Sequence, residues 1–293
     1  MIPSASYGRF ILEWIFDSSL TLTTSILIST HDLDRHLKDE QAKLVAPNLK
    51  QSPIAIMSLN PTYELQNKPL ILEYPATISN LRLNNTGFSW EVKIPYQISI
   101  TTSLYGAHLN SLFRYRLDQF HCHWGSNDEE GSEHTVDGRT YSAELHFVHY
   151  NMDKYHTFSK AARHPDGLVV MSVFIDATGN HHKHAELEKV VSQLKSVPLK
   201  GEHAIIKQAV RIENLLPSNR SYWSYQGSLT TPPYLESVTW FVLKHPIKCS
   251  QSQIEKFRSL KSSLRHDGGL YIKTNHRKTQ PLNGRTIVSY DER

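Results

Sequence analysis

The chain of 293 residues has little cysteine and no long uninterrupted apolar run, and both absences narrow its class. Cys122 and Cys249 are its only cysteines, which excludes a disulfide-rich secreted scaffold and favours a reducing compartment. The apolar stretch over residues 10–28 is interrupted by Glu13 and Asp17, unlike a membrane span or the compact core of a signal peptide. We therefore expect no membrane association.

Neither sign of charge is in large excess. The 32 lysines and arginines against 28 aspartates and glutamates leave a net charge of +4, and the basic residues are spread along the chain, so no nucleic-acid partner is expected. Low-complexity tracts are absent and 39% of the residues are hydrophobic, which favours a globular enzyme. The N-x-S/T triplets at Asn84 and Asn219 are too common by chance to indicate glycosylation.

Histidine, in contrast, is abundant, and three of the 17 form a pattern. His121 and His123 lie two residues apart in a run, residues 117–124, whose apolar and aromatic content predicts a strand with both side chains on one face. A neighbouring strand over residues 141–150 would bring His146 beside them. Three imidazoles that converge on one point are typical of a catalytic zinc site whose fourth position is left to water.

Chance is the alternative, because close histidine pairs are expected in a chain with so many of them. The pair His121 and His123 differs from a surface pair in having large apolar neighbours, which are Phe120, Cys122 and Trp124. A denser histidine cluster lies in a polar segment and receives no metal role; it comprises His181, His182 and His184.

Short apolar runs broken by proline, glycine, asparagine and aspartate predict one sheet-centred domain. The predicted strands are Ile71–Tyr74, Phe88–Ile94, Tyr115–Trp124, Ala143–Tyr150, Leu168–Ile175, Ala204–Arg211 and Ser237–Lys244. The predicted helices are His184–Leu194 and Ser252–Leu264. We expect residues 47–293 to form the domain, preceded by a divergent segment, residues 1–46, that is helical or partly disordered.

Five motifs, in order and at fitting intervals, resemble the α-class carbonic anhydrases from about Gln51 to Arg285. They are Q-S-P-I-A-I from Gln51, Q-F-H-C-H-W-G-S from Gln119, S-E-H-T-V-D-G-R-T-Y-S-A-E-L-H from Ser132, Y-W-S-Y-Q-G-S-L-T-T-P-P from Tyr222 and Q-P-L-N-G-R from Gln280. The resemblance implies a mainly β (α+β) fold with a mixed, largely antiparallel central sheet of about ten strands and short peripheral helices. It also implies zinc-dependent, reversible hydration of carbon dioxide through a zinc-bound hydroxide.

The resemblance assigns roles to particular residues. The zinc ligands would be His121, His123 and His146, and the partners of their second nitrogens would be Gln119, Asn275 (through its backbone carbonyl) and Glu144. Thr230 and Glu133 would orient the nucleophile, and Thr231 would lie at the bicarbonate position. The apolar wall that holds carbon dioxide would comprise Val148, Val170, Leu229, Val238 and Trp240. From the residues alone, the T-T-P-P stretch is only a turn and the wall is plain core.

The chain departs from the family's pattern at several positions. Phe88, or Gly87 in a poorer register, stands where the fastest members carry a proton-shuttling histidine, so we expect moderate turnover limited by proton transfer. Residues 29–50 lack the aromatic residues that normally precede the Q-S-P motif. Ser172 replaces a common glycine, a change that we expect to be tolerated.

Tyr234 occupies one position of the cysteine pair that many secreted members use. We therefore expect a cytoplasmic protein, with secretion as the alternative if the N-terminus contains a signal. A monomer is expected, as is inhibition by sulfonamides or small anions. The two alternative functions are a catalytically silent binding module, which the intact histidines oppose, and a zinc esterase or peptidase, for which the H-E-x-x-H motif is missing.

Overall fold

The computed structural model describes residues 49–59, 63–65, 68–97, 102–264 and 270–292. These residues belong to one compact unit, Leu49–Arg293. The predicted N-terminal segment, residues 1–46, lies outside the described residues, and the domain boundary stays a prediction.

Short strands account for most of the regular structure. In chain order they are β1 (Ala55–Ile56), β2 (Tyr63–Leu65), β3 (Leu70–Glu73), β4 (Arg82–Asn85), β5 (Trp90–Lys93), β6 (Ser103–Gly106), β7 (Tyr115–Trp124), β8 (Thr135–Val136), β9 (Ala143–Asn151), β10 (Leu168–Asp176), β11 (His203–Ile205), β12 (Tyr222–Gly227), β13 (Val238–Leu243), β14 (Ile247–Lys248) and β15 (Val288–Tyr290). The α-helices are α1 (Phe158–Ala161), α2 (Ala185–Val191) and α3 (Gln251–Arg258).

Thirteen of the described strands form one mixed sheet, which confirms the predicted fold class. Its continuous path runs β11-β4-β5-β7-β9-β10-β13-β12-β15-β2. Most neighbours are antiparallel, whereas β10 pairs in parallel with β13 and β14, and β15 pairs in parallel with β2. The three longest strands, β7, β9 and β10, lie side by side at the centre.

The two faces of this sheet bury different sets of apolar residues. Phe120, Phe147 and Met171 belong to a large cluster on one face, which helices α2 and α3 also join. Val148 and Trp240 belong to a smaller cluster on the other face. Because side chains alternate along a strand, residues next to those of the large cluster point to the second face. Several polar side chains of the central strands therefore point to the face with the smaller cluster, whereas His149 points to the face with the large cluster.

One residue interrupts this alternation in β7. Leu117 pairs with His149, but Gln119 pairs with Val148, so Asp118 is an extra residue in a β-bulge. The bulge exchanges the faces: Leu117 before it and Phe120 after it both join the large cluster, although they are an odd number of positions apart.

Two elements end well before the ends predicted from the sequence. The strand expected over Ala204–Arg211 ends at Ile205, because its ladder partner, β4, begins at Arg82. The helix expected to reach Leu264 ends at Arg258, since the chain then turns and Lys261 bridges to Tyr271.

The observed helices are short. The longest in the described part of the chain, α3, has eight residues, and no described helix is long and apolar enough to cross a membrane.

Candidate metal centre

Three histidines of the central strands converge on one point of the sheet. His121 and His123 project from β7, and His146 projects from the neighbouring position of β9, where it pairs directly with His121. The ring centroids lie 5.0 Å (His121 to His123), 5.3 Å (His121 to His146) and 4.7 Å (His123 to His146) apart. One ring nitrogen of each lies within 4.8 Å of the other two, close enough for one metal ion.

The other nitrogen of each ring is held by an oxygen. Nδ1 of His121 donates to Oε1 of Gln119 at 2.8 Å, and Nδ1 of His123 donates to the backbone carbonyl of Asn275 at 3.1 Å. Nε2 of His146 donates to Oε1 of Glu144 at 2.8 Å. These acceptors fix the tautomer of each ring, because a carbonyl or carboxylate oxygen can only accept.

The fixed tautomers leave three lone pairs directed inward. Nε2 of His121 and Nε2 of His123 lie 3.1 Å apart, although neither carries a proton in these tautomers. Two lone pairs at this distance repel unless a cation binds both. Zinc–nitrogen bonds of about 2.0–2.1 Å at tetrahedral angles would place two ligand nitrogens about 3.3 Å apart. The donor set thus fits a metal ion of this kind.

The electrostatic environment keeps the three rings neutral. Burial, followed by the neighbouring rings, holds the pKa of His121 well below its usual range and lowers the pKa of His123 to about 3. Burial also lowers the pKa of His146, although its hydrogen bond to Glu144 partly offsets this. A neutral imidazole keeps the lone pair that a metal requires.

Glu144 lies fully buried behind His146. Its Oε2 accepts the backbone N–H groups of Glu133 and His134, at 2.9 and 2.8 Å. Its Oε1 accepts from His146 and from Nδ1 of His134, the latter at 2.7 Å. Burial acts to raise the pKa of Glu144, but the His134 and His146 rings bring it well below the usual value. The sequence motif contained His134, yet only the fold shows that it braces this carboxylate.

A second buried carboxyl group, that of Glu133, lies beside His123. Oε1 of Glu133 is 3.3 Å from Nδ1 of His123 and accepts the backbone N–H of Arg277 at 2.8 Å. Burial, and then the charge of Glu144, raises the pKa of Glu133 well above its usual value, while the Thr230 hydroxyl acts in the opposite direction. The structure thus brings Thr230 and Glu133 together. Arg277 was not predicted.

Apolar side chains border the histidines on the same face. Trp240 meets the His146 ring edge-on, with centroids 4.8 Å apart. Four of the five predicted wall residues belong to the smaller cluster and the fifth packs against it; the four are Val148, Val170, Val238 and Trp240, and the fifth is Leu229. The five predicted wall residues therefore pack together in one apolar cluster.

Two predicted positions lie at the protein surface. Thr231 is exposed, and its backbone carbonyl accepts the N–H of Tyr234 in the turn. The Phe88 side chain is 64% exposed, and its carbonyl accepts Nδ2 of Asn275, the residue that holds His123. Phe88 is therefore linked to the histidines through one intervening residue.

Sequence reasoning missed a charged group on the neighbouring strand. Glu91 pairs directly with His121, and Lys93 pairs with Gln119, so both share the face of the metal centre. Nζ of Lys93 lies 2.7 Å from the bulge residue Asp118 and 3.9 Å from Glu91. Burial raises the pKa of Glu91, and Lys93 partly offsets the effect. The alternation W-E-V-K could have indicated these two side chains.

Comparison with known proteins identifies the family. Residues 39–291 match the sequence model of the eukaryotic-type carbonic anhydrases. The chain is 43% identical to human carbonic anhydrase 7 over 244 residues, which cover 83% of this chain and 89% of that protein. Mouse carbonic anhydrase 7 gives the same values, and carbonic anhydrase 1 of Monodelphis domestica is 41% identical over 83% of this chain and 90% of its own length. The chain therefore belongs to the carbonic anhydrase family of enzymes.

Proposed function

We propose that this protein is a zinc-dependent enzyme that hydrates carbon dioxide reversibly to bicarbonate and a proton. The observation that carries the proposal is the pair of unprotonated nitrogens, Nε2 of His121 and Nε2 of His123, which face each other at 3.1 Å. With His146 they would supply three neutral nitrogen ligands. A tetrahedral zinc ion with three protein ligands keeps its fourth position for water, which is typical of catalytic rather than structural zinc.

Zinc, when bound by these residues, would lower the pKa of water at the open position and so supply a nucleophile at neutral pH. The protein has the task of holding the ligand rings in place. Gln119, Glu144 and the carbonyl of Asn275 do so, because each fixes the tautomer and the angle of one ring.

The remaining site residues act on the substrate. The Thr230 hydroxyl, which lies near Glu133, would orient the attacking oxygen toward carbon dioxide. Carbon dioxide has no strong hydrogen-bonding group, so an apolar surface such as that of Val148 and Trp240 suits it. Small anions and sulfonamides would compete for the open position. The exposed Thr231 would contact bicarbonate.

The first experiment combines metal analysis with carbon dioxide hydration followed by stopped flow. We expect one zinc per chain and measurable turnover in the purified protein. His121→Ala should lower kcat/KM by about 10³-fold or more, since it removes a ligand of the ion that activates water. His182→Ala is the matched control, because it removes an exposed histidine distant in sequence from the site.

Each alternative gives a different result. Zinc without turnover would identify a silent binding module, and turnover that survives His121→Ala would exclude this metal centre as the active site. Circular dichroism should show that His121→Ala keeps the fold, because the buried apolar clusters do not include this side chain. Loss of the fold would mean that the site is structural.

A further inference from the structure

One hydroxyl group reaches the metal centre from a third strand. Ser172 lies on β10, where it pairs directly with His146 of β9. The side chain is fully buried, and its Oγ donates to Oε1 of Glu144 at 2.6 Å. Ser172 thus contacts the carboxylate that holds His146, without contacting that ring itself by a hydrogen bond.

The hydrogen bond from Ser172 is one of five that the Glu144 carboxylate accepts. Oε2 accepts two backbone N–H groups, and Oε1 accepts His134, His146 and Ser172. The two backbone donors come from the loop before β8, whereas Ser172 is on a central strand. A buried hydrogen bond to a charged group is among the stronger ones, so it restricts the rotation of the carboxylate about its last side-chain bond.

We propose that Ser172 is a positioning residue that keeps Oε1 of Glu144 directed at Nε2 of His146 and thereby slows the loss of the metal. This inference rests on the proposed zinc site. Its physical basis is the shared oxygen: His134 and His146 approach Oε1 from different strands and loops, and the third donor fixes where that oxygen lies between them. Without the hydroxyl, the oxygen can shift toward His134 and lengthen its bond to His146.

The test measures zinc loss from the full-length protein to an excess of the chelator EDTA. Removing an outer partner of a metal-bound histidine typically costs about 10–100-fold in affinity, and Ser172 acts one bond further out, so Ser172→Ala should release zinc about 3- to 10-fold faster. Proton NMR of the zinc-loaded protein gives a second readout. The Nε2–H resonance of His146 should move upfield in Ser172→Ala, as its hydrogen bond lengthens.

Ser224→Ala is the matched control. Ser224 is equally buried on a strand of the same sheet, and its Oγ donates to the backbone carbonyl of Trp240 at 2.6 Å. Loss of that bond should lower stability by a comparable amount but leave the rate of zinc release and the His146 resonance unchanged. If Ser172→Ala does not fold, Ser172→Cys serves instead, because it keeps the volume but offers a much weaker donor.

The outcomes separate the two proposals. A wild-type protein that binds no zinc would overturn the proposed function and this inference together. If the wild type binds zinc and is active, but Ser172→Ala releases zinc at the same rate or more slowly, only the role of Ser172 is overturned. Equal acceleration in Ser224→Ala would show a general loss of rigidity and would overturn it as well.

Discussion

At the scale of single residues, the metal centre depends on atoms that can only accept a hydrogen bond. The glutamine, glutamate and histidine members were predictable because they stand in recognisable motifs, namely Gln119, Glu144 and the three ligands. A backbone carbonyl has no sequence signature, so the role of Asn275 could be inferred only from the resemblance. Ser172 was noticed as a departure from a common glycine, but its partner depends on the pairing of β9 with β10.

Replacing Phe88 tests whether proton transfer limits turnover. A phenyl ring carries no proton, so we expect turnover of the wild type to rise with imidazole buffer, which takes over proton removal. Phe88→His would place a group of pKa near 6.5 at this exposed position, and should raise kcat at low buffer concentration by about tenfold or more. Stopped-flow rates over a buffer series measure both effects.

Phe88→Ala is the control, and its kcat should equal that of the wild type, because alanine also lacks a titrating group. If the wild type is already fast and insensitive to buffer, another group removes the proton and the prediction is wrong. His276, half-buried beside the carbonyl of Trp124, would then be the next histidine to replace.

At the scale of elements, hydrophobic pattern predicted the central strands well and the peripheral elements poorly. Tyr115–Trp124 was predicted with its observed ends, since ten residues of a buried strand carry a strong signal. The end of the strand beginning at His203 is set by the length of its partner strand, β4. The sequence around His203 contains no information on that length. The end of α3 is likewise set by the bridge between Lys261 and Tyr271.

Helix α3 should contribute strongly to stability through one aromatic side chain. Phe257 is fully buried and its ring centroid lies 5.6 Å from that of Trp90 and 5.5 Å from that of Trp124. Phe257→Ala should lower the free energy of unfolding by about 3–5 kcal/mol, because it leaves a cavity between helix and sheet. Urea denaturation measures this change.

The exposed Phe88 provides the comparison for that experiment too. Phe88→Ala should change the free energy of unfolding by less than about 0.5 kcal/mol. Equal losses in the two variants would mean that α3 does not pack on the sheet as described.

At the scale of the whole molecule, one sheet separates the chemistry from most of the core. The resemblance predicted about ten strands, and ten lie on the continuous path of the sheet. The three additional strands, β3, β6 and β14, pair off this path, and their short pairings could not be read from periodicity. The charged group formed by Glu91, Lys93 and Asp118 was missed because it joins two strands and a bulge.

The large-cluster face carries a buried histidine that should make the protein sensitive to acid. Nδ1 of His149 donates to the carbonyl of Phe147 at 2.9 Å, and Nε2 accepts the Tyr74 hydroxyl at 2.7 Å, so the ring is neutral. Burial lowers its pKa to about 3, partly offset by backbone hydrogen bonds. The unfolded chain, with a histidine pKa of about 6.5, binds this proton first, so stability falls as the pH drops from about 6.5 toward 3.

His149→Gln should therefore flatten the acid side of the stability curve. Glutamine can still accept a hydrogen bond from Tyr74 but does not titrate. In the variant, the difference in bound protons between the unfolded and folded states should therefore be smaller by up to about one over this pH range. Urea unfolding at a series of pH values measures the slope. Identical slopes for the variant and the wild type would show that His149 is protonated equally in both states.

The bulge at Asp118 determines which face of the sheet receives the histidines. Strand side chains repeat every two residues, so a shift of one residue exchanges the two faces. With Asp118 deleted and the start of β7 kept in place, His121 and His123 would point into the aromatic core, and Phe120, Cys122 and Trp124 would point to the metal centre. The face on which the histidines lie thus depends on whether the number of strand residues before them is odd or even. A deletion of two residues there would keep the histidines on the same face, whereas a deletion of one would not.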